Sequence, residues 1–445
     1  MGRRSPRGAR VAPGLDASAG PVVLVFGELG IGNLGNEASL TEALRRLDAQ
    51  LPGAQVRVLS YVPERTVAEH RGEHPRWSAV PINAPARAAR VVELPGRWGV
   101  LARQVADAGR VARASRGADV VVVPGTGIFE ELWMGPWGVP VLLVGLAVGA
   151  RAHRVPLAVV AVGADLPRRR LTRWMFSLAL RSATLATFRD DHSRAAGTAM
   201  TSGRAAAPRL DPDLVLGAPA PDVTEAGSAT PDDGRPRVVL GVMRYFGESD
   251  DEHSPAGAAV HERYLATLTD VGERILARGW SVDVVVGDGG DVPVARALGA
   301  RLGTGARVRA VTTLRELDEL VAGSTAVVAS RYHNVVSAIR AAVPVVSISY
   351  GPKGHALMAQ VGMGSSCQWI EELDADALVE QLDDAVARSA EVAVRLREAT
   401  AALRAAADRP WEDVAALAGF PAGAARSPVP HPARQRGSAL VEERA

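Results

Sequence analysis

The chain is poor in cysteine and in long apolar runs, and each shortage excludes a class of protein. Cys367 is its one cysteine, so no disulfide framework and no cysteine-rich metal site can form within these 445 residues. The most apolar stretch, 139–164, is interrupted by Arg151, His153 and Arg154, and its pieces are shorter than the roughly 20 residues that span a bilayer. We therefore expect a cytoplasmic protein without a transmembrane segment, while peripheral membrane contact stays open.

An excess of charge of one sign is also lacking, because 51 basic residues stand against 49 acidic ones, a formal net charge of +2. So balanced a chain has no strong general attraction for nucleic acid, and we expect no nucleic-acid partner. Arg3, Arg4, Arg7 and Arg10 belong to a basic N-terminal arm, 1–20, which is predicted to be disordered. The length predicts two or three domains of roughly 100–200 residues each.

Lysine occurs once, at Lys353, and every other member of the Lys and Arg class is arginine. Heavy use of alanine, glycine, valine and arginine is typical of codon pressure that converts tolerant surface lysines to arginine. A surviving lysine therefore indicates either chance or a position that needs a compact ammonium, which a guanidinium does not replace.

Short runs rich in valine and isoleucine alternate with helical segments rich in alanine, leucine and arginine, in two successive blocks. The runs lack polar alternation, which predicts parallel strands buried on both faces. Residues 218–236 are rich in proline, glycine and acids and form a linker between the blocks. The pattern predicts an α/β protein with two Rossmann-like doubly wound lobes, 21–217 and 237–423, facing across a cleft, followed by a polar tail over 424–445.

In the first lobe the predicted strands are 22–26, 56–60, 120–123, 157–162 and 184–187, with helices over 37–49, 101–115 and 171–181. In the second lobe the predicted strands are 237–243, 282–286, 308–311, 326–329 and 345–349, with helices near 258–277, 292–302, 314–322, 334–342 and 375–406. Such sheets bind ligands beyond the carboxyl ends of their strands, so the residues that follow each strand are the functional candidates.

A glycine-rich loop joins the first strand to the first helix. Gly30, Gly32 and Gly35 satisfy the G-x-G-x-x-G spacing of dinucleotide sites, but the second strand does not end in the acid that would hold a ribose. The loop instead predicts either a tight turn or a set of backbone N–H groups that holds an anion or sugar hydroxyls. The polar side chains available there are Asn33, Asn36 and Glu37.

The loop after the strand 120–123 begins with Gly125, Thr126 and Gly127. These residues predict either a plain turn or a place where a ligand or the opposite lobe approaches the backbone. Trp133 and Trp137 follow in the same loop, and an indole there either stacks on a sugar ring or packs in a core.

Charged residues follow two further strands. Arg189 comes after the strand 184–187 and fits either a bidentate grip on carboxylate or phosphate, or an ion pair with a neighbouring aspartate. Asp288 and Asp291 lie in a glycine-rich turn after the strand 282–286, where a turn and a position at the cleft are both open.

Two segments of the second lobe, Ser330-Arg331-Tyr332-His333 and Tyr350-Gly351-Pro352-Lys353, give the strongest pattern. Both follow strands with one helix between them, so we expect them to be neighbours on the rim of the cleft. They provide two fixed cations and a histidine near a helix start, where the positive helix end lowers the histidine pKa and keeps it near the working pH for proton transfer. The chain shows no cluster with metal-ligand spacing, so we expect no metal.

At these residues the sequence resembles the polysaccharide pyruvyl transferase family, over about 22–373. The similar segments are Gly32-Asn33-Leu34-Gly35-Asn36-Glu37, Gly125-Thr126-Gly127, Phe188-Arg189-Asp190, Asp211-Pro212-Asp213, Ser330-Arg331-Tyr332-His333 and Tyr350-Gly351-Pro352-Lys353. The last two, with their spacing, are the specific ones. One departure is Asn36, where the family often has aspartate.

The resemblance implies a glycosyltransferase-B-like fold and an enzyme that moves pyruvate from phosphoenolpyruvate, as a ketal, onto two hydroxyls of a sugar. It implies His333 as the acid/base and Arg189, Arg331 and Lys353 on the phosphoenolpyruvate anion, with no cofactor besides this co-substrate. The acceptor, a saccharide that can be lipid-linked or nucleotide-linked, is expected at the N-terminal glycine loops with Trp133 or Trp137. The other candidate substrate contacts are Ser330, Tyr350, Gly32, Asn33, Asn36, Glu37, Gly125, Thr126 and Gly127.

Two alternatives stay open besides the disfavoured nicotinamide enzyme. A nucleotide-sugar glycosyltransferase of the same architecture would need a carboxylate for the ribose, and Glu371 and Glu372 are the first acids after Lys353. A non-catalytic glycan-binding relative would have lost the histidine and the cations, and these are intact.

Overall fold

The computed structural model describes residues 20–70, 76–83, 97–131, 135–203, 208–220, 234–247 and 251–420. The predicted basic arm, except Gly20, the polar tail, Trp133 and most of the predicted linker lie outside these residues. Within the described ranges the chain forms a seven-stranded and a six-stranded parallel sheet, each flanked by helices. This confirms the predicted fold class of two Rossmann-like lobes.

The first lobe contains strands β1 (Val22–Phe26), β2 (Gln55–Ser60), β3 (Trp77–Pro81), β4 (Val120–Pro124), β5 (Leu157–Val162), β6 (Leu185–Phe188) and β7 (Arg209–Leu210). Its helices are α1 (Leu34–Gln50), α2 (Pro63–Glu69), α3 (Arg97–Ala114), α4 (Val139–His153), α5 (Arg170–Ser182) and α6 (Asp191–Thr201). The strand order is β3-β2-β1-β4-β5-β6-β7. Strands β4 and β5 are buried along their whole length and β1 in all but its first residue, which explains their unbroken apolar runs.

The second lobe contains strands β8 (Arg237–Val242), β9 (Ser281–Val286), β10 (Ala306–Val308), β11 (Ala326–Ala329), β12 (Val345–Ser349) and β13 (Cys367–Trp369), in the order β10-β9-β8-β11-β12-β13. The helices from here to the end of the described chain are α7 (Pro255–Ala277), α8 (Val292–Leu302), α9 (Leu314–Ala322), α10 (Tyr332–Ala341), α11 (Pro352–Gln360), α12 (Ala375–Ala387), α13 (Ser389–Ala406) and α14 (Arg409–Leu417).

The strand order reverses at one point in each sheet, between β1 and β4 and between β8 and β11. Because successive connections leave in opposite directions at such a point, a crevice opens at the carboxyl ends of the two strands. The loops that follow β1, β4 and β11 border these crevices, and they carry most of the candidate residues.

Helix α14 returns to the first lobe. Trp411 and Val414 pack among Val23, Val25 and their neighbours in the first core, and Trp411 is fully buried. The predicted second lobe, 237–423, included this helix, and its packing corrects that boundary.

Arg46 of α1 lies where the chain passes between the lobes. Its guanidinium forms an ion pair with Asp408, just before α14, and donates a 2.9 Å hydrogen bond to the carbonyl oxygen of Gly217. Gly217 also lies against Ala407, since a β carbon added to it would be 2.7 Å from the side chain of Ala407. The two passages of the chain between the lobes therefore lie side by side.

Several predicted boundaries differ from the structure. The helix predicted over 375–406 is two helices, α12 and α13, because the backbone of Arg388 is not helical. The strand predicted at 308–311 is β10, three residues earlier at its end. The sequence patterns missed α4, which is apolar on most sides and has no clear helical stripe, and α11, which begins at a proline that favours a first helical turn. Within the described ranges, no helix combines the length and apolar character needed to cross a bilayer.

We predict that Trp411→Ala lowers the free energy of unfolding by about 3–5 kcal/mol, because it empties a buried aromatic site under the first sheet. Urea unfolding measures the change. Trp174→Ala is the matched control, since Trp174 is 58% exposed and its loss should change stability by no more than about 0.5 kcal/mol. Equal effects of the two substitutions would contradict the packing of α14 on the first lobe.

Candidate active site

Three predicted cations lie around the predicted imidazole. Arg189 follows β6, Arg331 precedes α10, and Lys353 is the second residue of α11. The charges of all three act on His333, whose pKa they lower together with burial. The structure therefore brings together four candidates that come from three different strand ends.

His333 lies in the first turn of α10 and packs against the first turn of α1 in the other lobe. A β carbon added to Gly35 would be 1.9 Å from its Nδ1 atom, so the close approach of the two lobes requires glycine there. Its Nε2 atom is closed to solvent and has no hydrogen-bond partner among the described residues. It is a buried polar atom whose hydrogen bond is not satisfied within the described protein.

Burial is the main cause that lowers the pKa of His333 to about 4; Asp213 opposes the shift, and Arg189, Lys353 and Arg331 add to it. We expected a value near the working pH, and the structure places it lower. A histidine with this pKa is neutral at pH 7, so it begins a reaction as a proton acceptor.

Glu130 joins two of the cations across the cleft. Its carboxylate lies 2.9 Å from the Nζ atom of Lys353 and 3.6 Å from the guanidinium of Arg189. Burial would raise the pKa of Glu130, but these two charges outweigh it and lower the pKa. Burial would likewise lower the pKa of Lys353, and Glu130 raises it instead. The pair is thus ionised and holds the lobes together.

Arg189 has further partners of its own. Its guanidinium lies 3.3 Å from Asp213 and 3.5 Å from Asp190, and 4.5 Å from the ring centre of Tyr332. Arg189 therefore forms the ion pair with a neighbouring aspartate that was one of its two interpretations. It also belongs to the cationic cluster.

Arg331 is held by a buried carboxylate. Its Nε and Nη2 atoms donate to Asp291 at 2.7 and 2.6 Å, and Asp291 is fully buried. Its Nη1 atom has no hydrogen bond among the described residues. Asp291 belongs to the glycine-rich turn after β9, so this turn does reach the site.

The side chains of the first glycine loop are engaged within the protein. Asn33 caps α1 through the N–H groups of Gly35 and Asn36, and it donates to Asp288 of the second lobe at 3.0 Å. Asn36 donates to the carbonyl oxygen of Glu28 at 3.0 Å. An aspartate, which the family often has there, could not donate this hydrogen bond.

Glu37 supports the same loop from the other side. Its carboxylate accepts the N–H of Gly30 at 2.7 Å and lies 3.0 Å from Nε2 of His70, while Nδ1 of His70 lies 3.0 Å from the hydroxyl of Thr41. Oxygen and nitrogen atoms of Glu37, Glu69 and His70 lie within 4.8 Å of one another, a cluster that sequence spacing did not reveal. Because both ring nitrogens have partners, the arrangement positions the loop. Gly32, at φ +87°, lies in the same turn.

The second glycine loop makes room for Glu130. Gly125 and Thr126 both have positive φ angles, +53° and +65°, and Thr126 is a buried residue whose hydroxyl has no partner among the described residues. A β carbon on Gly127 would be 2.3 Å from the Glu130 carboxylate. A strained threonine with an orphaned hydroxyl at a strand end is typical of a functional site.

The remaining candidates differ in how closely they approach the cluster. Ser330 is buried, and its hydroxyl lies 2.7 Å from that of Tyr264. The ring of Tyr350 lies under Lys353, with Nζ 4.9 Å from the ring centre. Trp137 is 37% exposed on the short helical turn before α4.

Glu28 is a residue that the sequence analysis missed. It follows β1, and burial, with a smaller contribution from the charge of Glu130, raises its pKa to about 7. Its carboxylate has no hydrogen bond among the described residues. The sequence signal was its place two residues after the first strand, but the raised pKa depends on burial and, to a smaller extent, on Glu130, which is remote in sequence.

A cavity of about 550 Å³ opens beside Arg189. The first lobe lines it with Asp190, Asp191 and Asp211, and the second with Gln360 of α11. Arg189 lines the same cavity, so its walls carry a cation beside the carboxylates, and both kinds of group can bind the hydroxyls of a ligand.

Most of the candidate site residues lie in a segment that matches a known protein family. The sequence model of the polysaccharide pyruvyl transferase family matches residues 33–352. A search of the curated proteins finds no match.

Solved structures share the fold. A UDP-N-acetylglucosamine 2-epimerase described as putative, from Listeria monocytogenes, is 12% identical, with a TM-score of 0.55 over 89% of this chain and 95% of its own. HepE of Anabaena, solved with UDP and glucose, is 13% identical, with a TM-score of 0.55 over 90% and 99%. UDP-GlcNAc 2-epimerase of Neisseria meningitidis is 8% identical, with a TM-score of 0.55 over 89% and 99%. At these identities the similarity shows the two-lobe glycosyltransferase-B-like fold.

We predict that Glu130→Gln makes Lys353 more reactive toward a small acylating reagent. Without the carboxylate, burial and the charge of Arg189 lower the pKa of Lys353. At a pH below that pKa, each unit of decrease gives roughly tenfold more neutral amine, which is the reactive form. Because the chain has a single lysine, peptide mass spectrometry reports the rate at one side chain. Glu131→Gln is the control, since Glu131 bonds the start of α5 instead. Equal rates in both variants would show that Glu130 does not set the charge of Lys353.

Proposed function

The chain belongs to the polysaccharide pyruvyl transferase family, and we propose that it transfers pyruvate from phosphoenolpyruvate, as a ketal, to two hydroxyls of a sugar, releasing phosphate. The sugar is part of a polysaccharide or glycoconjugate precursor. The observation that carries the proposal is that the charges of Arg189, Arg331 and Lys353 all act on His333, whose Nε2 atom has no hydrogen-bond partner among the described residues.

The charge of the donor matches this cluster. Phosphoenolpyruvate carries a carboxylate and a phosphate, close to three negative charges at neutral pH, and burying such charge without partners is prohibitive. Three cations and the N-terminal ends of α10 and α11 supply the balance. Before the donor binds, Glu130, Asp213 and Asp291 keep the cations in place without leaving them unpaired.

The reaction moves two protons. The two sugar hydroxyls each lose one; one proton ends on the methylene carbon, which becomes a methyl group, and the other leaves with the phosphate. Two C–O bonds form at the central carbon as the C=C double bond and the bond to phosphate oxygen are lost. A site for this chemistry therefore needs a group that accepts a proton and a group that donates one.

His333 and Glu28 fit these two roles. His333 is neutral at pH 7 and accepts a hydroxyl proton, and the cations that lower its pKa also stabilise the donor anion. Glu28 is partly protonated near pH 7 and can protonate carbon. Both lie at the first turn of α1, His333 against Gly35 and Glu28 bonded through its carbonyl to Asn36.

We predict that His333→Gln lowers turnover by about 10²–10⁴-fold, the usual contribution of acid–base catalysis, while the protein stays folded. The assay follows phosphate release from phosphoenolpyruvate with a panel of lipid-linked and nucleotide-linked sugars. His253→Gln is the control, because the His253 side chain is 89% exposed. Turnover close to that of the control would remove His333 from the mechanism. Thermal stabilisation by UDP- or GDP-sugars, without any by phosphoenolpyruvate, would favour the glycosyltransferase alternative.

We predict that Glu28→Gln abolishes the high-pH limb of the kcat/KM profile. If Glu28 acts as the acid, activity is present below its pKa and lost as the pH rises through about 7. A glutamine cannot donate that proton, so turnover falls by about 10²-fold and the limb disappears. Glu380→Gln, on the exposed face of α12, is the control. A Glu28→Gln profile with the limb unchanged would assign the titration to another group.

A further inference from the structure

Helix α5 begins with large apolar side chains turned to solvent. Leu171 and Trp174 are 41% and 58% exposed, and they share a face because they are three residues apart. Leu166, 47% exposed, lies four residues before the helix. Single exposed apolar residues are ordinary, but three within nine residues mark a place of contact.

Positive charge predominates around these side chains, and the aspartate that precedes them, Asp165, is paired with His192. Arg168, Arg170 and Arg173 are exposed among them, and residues 166–189 contain no acid. The nearest carboxylate of the β4 loop, that of Glu131, lies beneath the helix start, where it accepts the N–H groups of Arg168 and Arg169 at 2.9 and 3.3 Å. We call Leu166, Arg168, Arg170, Leu171, Arg173 and Trp174 the α5 surface.

The α5 surface lies at the same edge of the sheet as the active site, because α5 follows the carboxyl end of β5 and all strands of the sheet are parallel. The connection is direct. Glu131 holds the start of α5, also accepting the hydroxyl of Thr172 at 2.9 Å, and the preceding residue, Glu130, holds Lys353. Two consecutive residues therefore tie the α5 surface to the catalytic cluster.

We propose that the α5 surface docks the protein on an anionic lipid bilayer. Tryptophan and leucine enter the boundary between headgroups and acyl chains, and arginines beside them bind lipid phosphates. The absence of any acid over 166–189 favours a polyanionic surface over a protein partner of mixed charge. The consequence for catalysis rests on the proposed function: a docked protein presents its cleft at the depth where the sugar of a lipid-linked acceptor stands.

Sedimentation with vesicles tests the docking. The full chain should bind vesicles that contain phosphatidylglycerol more tightly than vesicles of phosphatidylcholine alone, and high salt should weaken the binding. Leu171→Ser with Trp174→Ala, or Arg170→Glu with Arg173→Glu, should each weaken binding by about tenfold or more. Val394→Ser and Arg296→Glu, exposed in the second lobe, are the matched controls and should bind like the parent protein.

Three results would overturn the proposal. The first is equal binding to both vesicle types, or no binding to either. The second is α5 variants that bind vesicles like the controls. That result is expected if the basic arm over 1–20 carries the binding, and deletion of the arm would then abolish it. The third is light scattering in which Trp174→Ala converts a dimer to a monomer, which would make a second copy the occupant.

Phosphate release with a water-soluble acceptor separates this proposal from the function. The α5 variants should keep that activity and lose it selectively with an acceptor embedded in vesicles. Vesicle binding without any phosphate release would leave the docking standing and refute the pyruvyl transfer.

Discussion

The ion pair between Glu130 and Lys353 is the interaction on which the rest of the site depends. It is 2.9 Å long, joins the two lobes, and is shared with Arg189. Cations gathered in one buried place repel one another, and buried carboxylates beside them keep them charged and close. Glu130, Asp213 and Asp291 meet that need, one for each cation. The site is therefore a set of buried charges, each of which has a partner of opposite sign.

Glycine serves this arrangement by making room for side chains. Gly35 lies against His333, Gly127 against Glu130 and Gly163 against Arg189, and an added β carbon would be 1.9, 2.3 and 2.6 Å from them. Each glycine thus accommodates one side chain of the candidate site. The glycine-rich segments that suggest dinucleotide binding from their spacing are explained here by packing between neighbouring loops and lobes.

The two lobes and the candidate cations could be predicted because each leaves a signal in a short stretch of sequence. Unbroken valine runs mark central strands, and Arg331 and His333 lie two residues apart at one helix start. What it could not reach depends on distant packing. Glu130 and Lys353 are 223 residues apart, Glu28 has a raised pKa through burial and Glu130, and α14 follows the second lobe in sequence but packs in the first. The roles of the individual site residues stay predictions.

Arg46 bonds both Gly217 and Asp408, at the two places where the chain passes between lobes. Both places are thereby fastened to α1 by one buried guanidinium, whose side chain is 4% exposed. Loss of that guanidinium would leave Asp408 and the carbonyl oxygen of Gly217 without their shared partner. The first helix therefore belongs to the joint between the lobes as well as to the candidate site, since its first turn also lies against His333.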